Sequence, residues 1–292
     1  MSDFSKITAV CVDTLNHELA IEACWRMAQH GFADVILFTD EAADTFLPSG
    51  SFKGFRVERI ATLHGRSAYS NFVLHSLAPH IPTSHALIFQ WDGFVLDADR
   101  WRAEFLSYDY IGAIWWIDSS VRVGNGGFCL RSSKLMHAVA EMAPVSTRPE
   151  DRVICQDLAP RLQAEHGLRF APPEVAKHFS IDQMSLPHYR EGEPHFVCDE
   201  PFGFHGFWNF HMAFGDFEIL DLIDNRLGEF RQTLLTTWPA AALVVNLMKA
   251  GRTSTAVDIA VRCAPLLGMD PANVRLHEVV MRLEKRQAHS DF

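Results

Sequence analysis

The stretch Ala86-Leu-Ile-Phe-Gln-Trp-Asp-Gly-Phe-Val-Leu96 opens on four apolar residues and stops abruptly at Gln90-Trp-Asp-Gly93. A continuous apolar run of that kind reads as a strand covered on both faces, as in a mostly parallel sheet. At its end a carboxylate, Asp92, emerges beside Gly93, a residue that permits a sharp turn. Ligands in open α/β sheets bind outside the carboxyl ends of the strands. An acid in that place is set to hold a divalent cation, whose hard oxygen ligands can include a substrate diphosphate. Taken by itself, the stretch also reads as a strand, a Gly turn and a solvated Asp.

Working outward, Ile7–Val12 is a short apolar strand, and Leu15, Leu19, Ala23 and Met27 then recur at helical spacing until His30-Gly31 stops the helix. Residues 33–39 form the next buried strand, ending at Asp40. This strand–helix–strand opening argues for a parallel sheet. Phe55–Ile60 reads as a third, more exposed strand, and Ser67–Leu77 as a helix with Tyr69, Phe72, Val73 and Leu77 on one face. Past the Gln90–Asp92 turn, Gly124-Asn-Gly-Gly127 interrupts what would otherwise be a strand. Gly126 and Gly127 there permit close backbone approach to a ligand, and the alternative is a glycine-rich hairpin. The spacing is not G-x-G-x-x-G after a strand, so a dinucleotide fingerprint is excluded. Arg131 follows, within reach of a phosphate or of a structural carboxylate. Glu150-Asp151 opens a helix expected to break or kink near Pro160, where acids serve by default as helix-dipole partners. Leu168–Ala171 reads as a late strand.

Bulk properties narrow the classes. With 292 residues, 48% hydrophobic and 21% charged, the chain has ordinary globular composition. No apolar run approaches the roughly 18 residues of a membrane span, and the N-terminus has no apolar leader region, so neither a span nor a secretory signal is expected. The six cysteines (11, 24, 129, 155, 198, 263) show no C-x-x-C spacing. A reducing, cytoplasmic location fits, and a disulfide framework or structural zinc does not. A net charge of −10 disfavours nucleic acid and anionic lipid as partners. Aromatics gather in Trp91, Trp101, Trp115, Trp116, Phe202, Phe204, Phe207, Trp208 and Phe210, as core or as a sugar-binding surface.

Four further strings stand in order downstream: Tyr108-Asp-Tyr-Ile-Gly-Ala113, Val123-Gly-Asn-Gly-Gly-Phe-Cys-Leu-Arg-Ser132, Pro149-Glu-Asp151 and Phe202-Gly-Phe-His-Gly-Phe-Trp208. Together with the Q-x-D strand end, they resemble a domain-of-unknown-function family of glycosyltransferase-like proteins with the GT-A fold, over about residues 5–210. The resemblance implies an α/β domain of mostly parallel sheet flanked by helices. It implies a nucleotide held by the first half, making Asp13, Thr14 and Asp40 candidate base and ribose contacts, although each also reads as a cap or turn residue. It also places Val175–Asp182 in a strand and loop after the catalytic region. Where such enzymes have D-x-D, this chain has Gln90-Trp-Asp92. Asp92 is therefore expected to carry Mn²⁺ or Mg²⁺ nearly alone from this strand, with Gln90 free to hydrogen-bond a sugar or ribose hydroxyl. His205 is expected to return and complete the metal site. The E-D pair implies a general base, with Asp151 preferred and Glu150 as its neighbour or an acceptor contact.

Beyond Gly215 the periodicity is helical throughout, with paired helices broken at Gly251 and Gly268 in a loosely tetratricopeptide-like pattern. Residues 1–215 are thus expected to form the GT-A-like domain, and 216–292 a helical appendage packed on it as an acceptor or dimer surface. The expected function is inverting, metal-dependent transfer of a sugar from a nucleotide-sugar donor to a hydroxyl of a glycan or glycoconjugate. The alternatives are a non-catalytic nucleotide-sugar or glycan-binding module and a nucleotide-sugar hydrolase.

Overall fold

β1 (Ile7–Val12), β2 (Asp34–Thr39) and β4 (His85–Phe89) are buried along essentially their whole length. That is why these runs are apolar without alternation, since both faces of the sheet are covered. The computed structural model describes residues 4–47, 54–117, 120–182 and 200–286. It divides into two compact units, one running to Asp182 and including residues up to His205, the other beginning at Gly206. Cys198 lies outside the described residues, and the side chain of Trp116 is likewise not described.

The first unit is α/β, with a mostly parallel sheet flanked by helices, the class expected. Its main sheet runs β3-β2-β1-β4-β9-β6. Edge strand β3 (Arg56–Arg59) is half exposed, which explains its charged sequence. Strands β3, β2, β1 and β4 are parallel, joined by α1 (His17–Ala28), the loop before β3, and α2 (Gly65–His75). Two short sheets stand beside it, β7 (Ile114–Ile117) with β8 (Ser120–Val123), and β5 (Gly93–Val95) with β11 (Gly203–His205) and β10 (Ser180–Ile181). β9 (Phe128–Ser132) runs antiparallel to both β4 and β6 (Tyr110–Ile111). The reversal sets the amino end of β9 beside the carboxyl end of β4, with Phe89 opposite Phe128. Gly124–Gly127 is therefore no hairpin, because β8 and β9 belong to different sheets.

Of the aromatics expected in either of two roles, Phe202, Phe204, Phe207 and Phe210 are buried. Phe4, Trp101, Phe105, Phe128, Phe179 and Phe202 form one cluster with neighbouring ring centroids 5.1–5.4 Å apart along the chain of contacts Phe4–Trp101–Phe202 and Trp101–Phe105–Phe179–Phe128. Offset and edge contacts of this kind add stability beyond their buried area.

Two local expectations are corrected and a third is met. Leu168–Ala171 makes a single bridge, Phe170 to Tyr110, and is otherwise irregular. Residues 175–179 lie in helix α6 (Pro173–Phe179), where Pro173 in the first turn needs no N–H partner; only Ser180–Ile181 is strand. The helix opening at Glu150 is interrupted just before Pro160, as expected. α4 (Glu150–Arg152) widens into a π-type turn at Val153–Leu158, and α5 (Ala159–His166) restarts with Pro160 in its first turn. α3 (Ser133–Met142) begins at the end of β9, capped by Ser132 Oγ on the Leu135 N–H.

The second unit is helical: α7 (Asp216–Asp221), α8 (Phe230–Leu235), α9 (Trp238–Lys249), α10 (Thr253–Leu266) and α11 (Leu276–Lys285). α9 is buried nearly all round and packs against α8, α10 and α11, which matches its uniformly apolar sequence. Gly251 and Gly268, both at positive φ, end α9 and α10.

Candidate functional site

The β4 stretch continues through a turn in which the Gly93 N–H donates to Gln90 O, then into β5, which pairs antiparallel with β11. That pairing sets His205 directly opposite Gly93 and so beside Asp92. From the other side, the Gln90 N–H donates to Gly127 O at 2.9 Å. Three distant pieces of sequence thus converge on one point at the carboxyl edge of the parallel strands. Close approach dictates glycine here. A Cβ on Gly93 would lie 2.9 Å from Phe204 O, one on Gly127 would lie 2.1 Å from the His205 ring, and one on Gly126 would lie 1.9 Å from Glu150 Oε1.

His205 is held on both sides. Its Nδ1 is 3.1 Å from Asp182 Oδ1 and 3.1 Å from Asn125 Nδ2; its Nε2 is 3.1 Å from Gln90 Oε1 and 3.5 Å from Asp92 Oδ1. Burial by itself would lower its pKa, but Asp92 and Asp182 outweigh burial and raise it to about 10. Asn125 sits at φ 67, a left-handed position that Asn tolerates, and its Oδ1 accepts the N–H groups of Gly127 and Phe128. Tyr110 OH donates to its carbonyl.

Glu150 and Arg131 form a buried ion pair, Nη2 to Oε2 at 2.7 Å, with the guanidinium 5.3 Å from the Tyr110 ring centroid. Arg131 is 1% exposed, so the structural carboxylate is the partner the fold supplies, and the side chain offers no face to a phosphate. Burial pushes Glu150 up to about 7 even though Arg131 opposes the rise. Asp151, next along, is partly exposed. Its Oδ2 accepts the Gly126 N–H at 2.9 Å and its Oδ1 the Arg152 N–H at 2.7 Å. Burial raises its pKa above the ordinary aspartate value against the pull of these N–H groups and Arg131.

Asp13, Thr14 and Asp40 lie at the ends of β1 and β2, where each is engaged by the fold. Asp13 Oδ1 accepts the N–H groups of Leu15 and Asn16, fixing the entry to α1, and Thr14 Oγ1 accepts the Leu63 N–H. Asp40 accepts from His17, Thr62 and the Ala42 N–H.

Asp92 differs. Its Oδ1 is buried and makes no close hydrogen bond, with only the His205 ring as charge partner, 3.5 Å away. A buried carboxylate oxygen left unmatched costs free energy unless something completes it, and a carboxylate facing an imidazole nitrogen suits a divalent cation. Asp92 and His205 thus lie together where the metal was expected, and among the described residues no group of three His, Cys, Asp or Glu side chains is arranged as a metal site. Asp182 and Asn125 were not anticipated as site residues. Asn125 between glycines was a readable signal for a strained turn, whereas Asp182 joins only through the β10–β11–β5 pairing.

Residues 54–205, over half of the chain, match the family described as "Protein of unknown function (DUF5672)", and the chain belongs to that family. Among solved structures it is similar to a glycosyltransferase involved in glycosylation of the major capsid of PBCV-1, at 13% identity and a TM-score of 0.40, over 68% of this chain and 92% of that one. It is also similar to a nucleotidyl transferase from Methanothermobacter thermautotroptrophicus, at 13% identity and 0.37, over 56% and 84%. A Mycobacterium tuberculosis H37Rv protein in complex with manganese is similar at 14% identity and 0.34, over 56% and 85%. No curated protein matches the sequence. Among the described residues no helix is long and apolar enough to cross a membrane.

Proposed function

We propose that this chain transfers a sugar from a nucleotide diphosphate donor to a hydroxyl of a glycan or glycoconjugate acceptor, with Asp92 and His205 holding Mn²⁺ or Mg²⁺. The observation that carries the reading is the buried, unmatched Asp92 oxygen facing His205 Nε2 at the carboxyl end of β4. When bound, the cation neutralises the diphosphate and stabilises the departing charge as a Lewis acid. Gly126 and Gly127 serve the site indirectly: Glu150 and the His205 ring fill the space beside them, so these glycines seat those two side chains and do not open the edge to a ligand.

Asp151 is the proposed general base. It is the accessible member of the acid pair, its pKa is raised toward the working range, and backbone N–H groups hold both oxygens in place. In the reaction, the acceptor oxygen bonds to the anomeric carbon and its proton passes to Asp151. The bond from that carbon to the diphosphate breaks, and the nucleoside diphosphate leaves. Direct displacement of this kind inverts the anomeric centre. Glu150, sealed behind Arg131, fixes the start of the helix that presents Asp151. Asp13, Thr14 and Asp40 shape the donor end of the site by fixing its loops.

A thermal-shift screen of nucleotide sugars with and without Mn²⁺ tests the reading. The true donor at about 100 times its Kd adds roughly 2.7 kcal/mol of stability. Incubation with acceptors should then yield sugar on the acceptor. Free sugar would instead mark a hydrolase, bound but unconverted donor a binding module, and no stabilisation by any nucleotide sugar would overturn the reading.

A further inference from the structure

Trp115, on β7, is half-buried, unlike the core phenylalanines, and its place is set by glycines. A Cβ on Gly124 would strike the indole ring, so the ring lies against bare backbone. Gly112 serves the same joint. A Cβ there would strike Gly124 O, and the Gly124 N–H donates to Ala113 O at 2.9 Å. Tyr110 OH, donating to Asn125 O at 3.0 Å, pins the next residue. The string Tyr110–Ala113 thus fixes Trp115 and the glycine segment to one another.

Asp151 is tied to the same segment, since its Oδ2 accepts the Gly126 N–H at 2.9 Å. Only Asn125 separates the glycine that carries the indole from the glycine that is bonded to the carboxylate. Among the described residues Trp115 makes no hydrogen bond, ring stack or cation contact. It therefore keeps part of its ring open and an N–H that no described residue accepts.

The chemistry at Asp151 says what uses them. A general base works only within hydrogen-bond reach of the proton it takes. The acceptor hydroxyl therefore stands at the Asp151 carboxylate, and the rest of the acceptor lies along the surface around Gly124–Gly126. A pyranose has polarised C–H bonds on its face and hydroxyls around its rim. The negative face of an indole attracts the first, and its N–H donates to the second. Ring-on-ring contact would also fix which hydroxyl meets the base, and orientation is a large part of the barrier when two substrates react.

We propose that Trp115 is the platform of an acceptor subsite, and that the acceptor hydroxyl belongs to a pyranose ring stacked on it. The proposal rests on reading Asp151 as the base of a sugar transfer. It adds the class of acceptor: a cyclic sugar, not a protein side chain or an acyclic alcohol.

The test titrates methyl glucoside, galactoside and mannoside into the full chain by NMR, with Mn²⁺ and a nucleoside diphosphate present, and sorbitol as the acyclic control. Wild type should bind at least one pyranoside, and sorbitol about tenfold more weakly. Trp115→Ala should weaken pyranoside binding about tenfold, and Trp115→Phe, which keeps a ring, only about threefold. Both variants should bind Mn²⁺ and nucleoside diphosphate as wild type does. In protein labelled with 5-fluorotryptophan, the ¹⁹F resonance missing from Trp115→Phe should shift when pyranoside is added, which a purely structural indole would not do. Pyranoside affinity in Trp115→Ala within twofold of wild type, equal binding of sorbitol, or an unmoved resonance overturns the proposal. A wild type that binds the nucleoside diphosphate but no pyranoside overturns the platform and leaves donor binding standing, whereas binding of neither sinks the transfer reading as well. If Trp115→Ala does not fold, the sorbitol comparison and the fluorine resonance still decide the outcome.

Discussion

Two places along the carboxyl edge of the same parallel strands carry aspartates just past the strand ends, and they differ in what is left over. Past the ends of β1 and β2, Asp13 and Asp40 have their oxygens taken up by the N–H groups of Leu15, Asn16 and Ala42 and by the side chains of His17 and Thr62. Past the end of β4, where β11 of the neighbouring short sheet brings in His205, Asp92 keeps a buried oxygen without a close hydrogen bond, 3.5 Å from a histidine braced from behind. A carboxylate at a strand end is therefore weak evidence of a site. A carboxylate whose demand the fold does not meet is stronger evidence.

The largest expected effect lies between the two acids beside Gly126. Asp151→Asn should lower transfer by roughly 10²–10⁴-fold with donor affinity unchanged, as for loss of a general base. The acid limb of the wild-type kcat/KM profile should lie above the ordinary aspartate range, since burial raises Asp151. If Glu150→Gln is the inactive variant and Asp151→Asn nearly normal, the roles are reversed.

Stability should show the opposite ranking. Glu150→Ala leaves Arg131 buried and unpaired and should cost about 3–5 kcal/mol in urea unfolding. The pH dependence follows from the raised Glu150 value. Between the ordinary glutamate value near 4.5 and about 7, the folded protein binds more protons than the unfolded chain. Glu150's contribution is thus fully present below about 4.5 and is lost as pH rises through about 7. Glu150→Gln should flatten that decline; an unchanged profile would show that Glu150 does not titrate in this window.

Gly127→Ala places a methyl group against the His205 ring and should cost about 10–100-fold in Mn²⁺ affinity while the sheet stays intact. Unchanged affinity would mean that the ring can move aside without loss. The smallest effect is expected at the other place, where Asp40→Asn should lose about 1–2 kcal/mol of stability from weakened hydrogen bonds and leave Mn²⁺ binding untouched.

The sheet was legible because covered strands must be apolar on both faces, so β1, β2 and β4 stand out in the sequence. The helix over 173–179 was not, because its seven residues give too short a window for periodicity to separate helix from strand. At the site, Gln90, Asp92, Gly126, Gly127 and His205 could be picked out by the Q-x-D strand end and the glycines. The role of Arg131 was left between two partners because nothing in sequence spacing tells a buried carboxylate from a bound phosphate. Asp182 was invisible as a site residue, since only the pairing of β10 with β11, and of β11 with β5, carries it to His205.

The contrast between the two places is tested most directly by calorimetric titration of a nucleoside diphosphate, with and without Mn²⁺, into wild type, Asp92→Asn and Asp40→Asn. Asp92→Asn should melt like wild type and lose the Mn²⁺-dependent part of the affinity altogether. Asp40→Asn should melt lower and keep that part. Equal Mn²⁺-dependent affinities in wild type and Asp92→Asn would contradict the account.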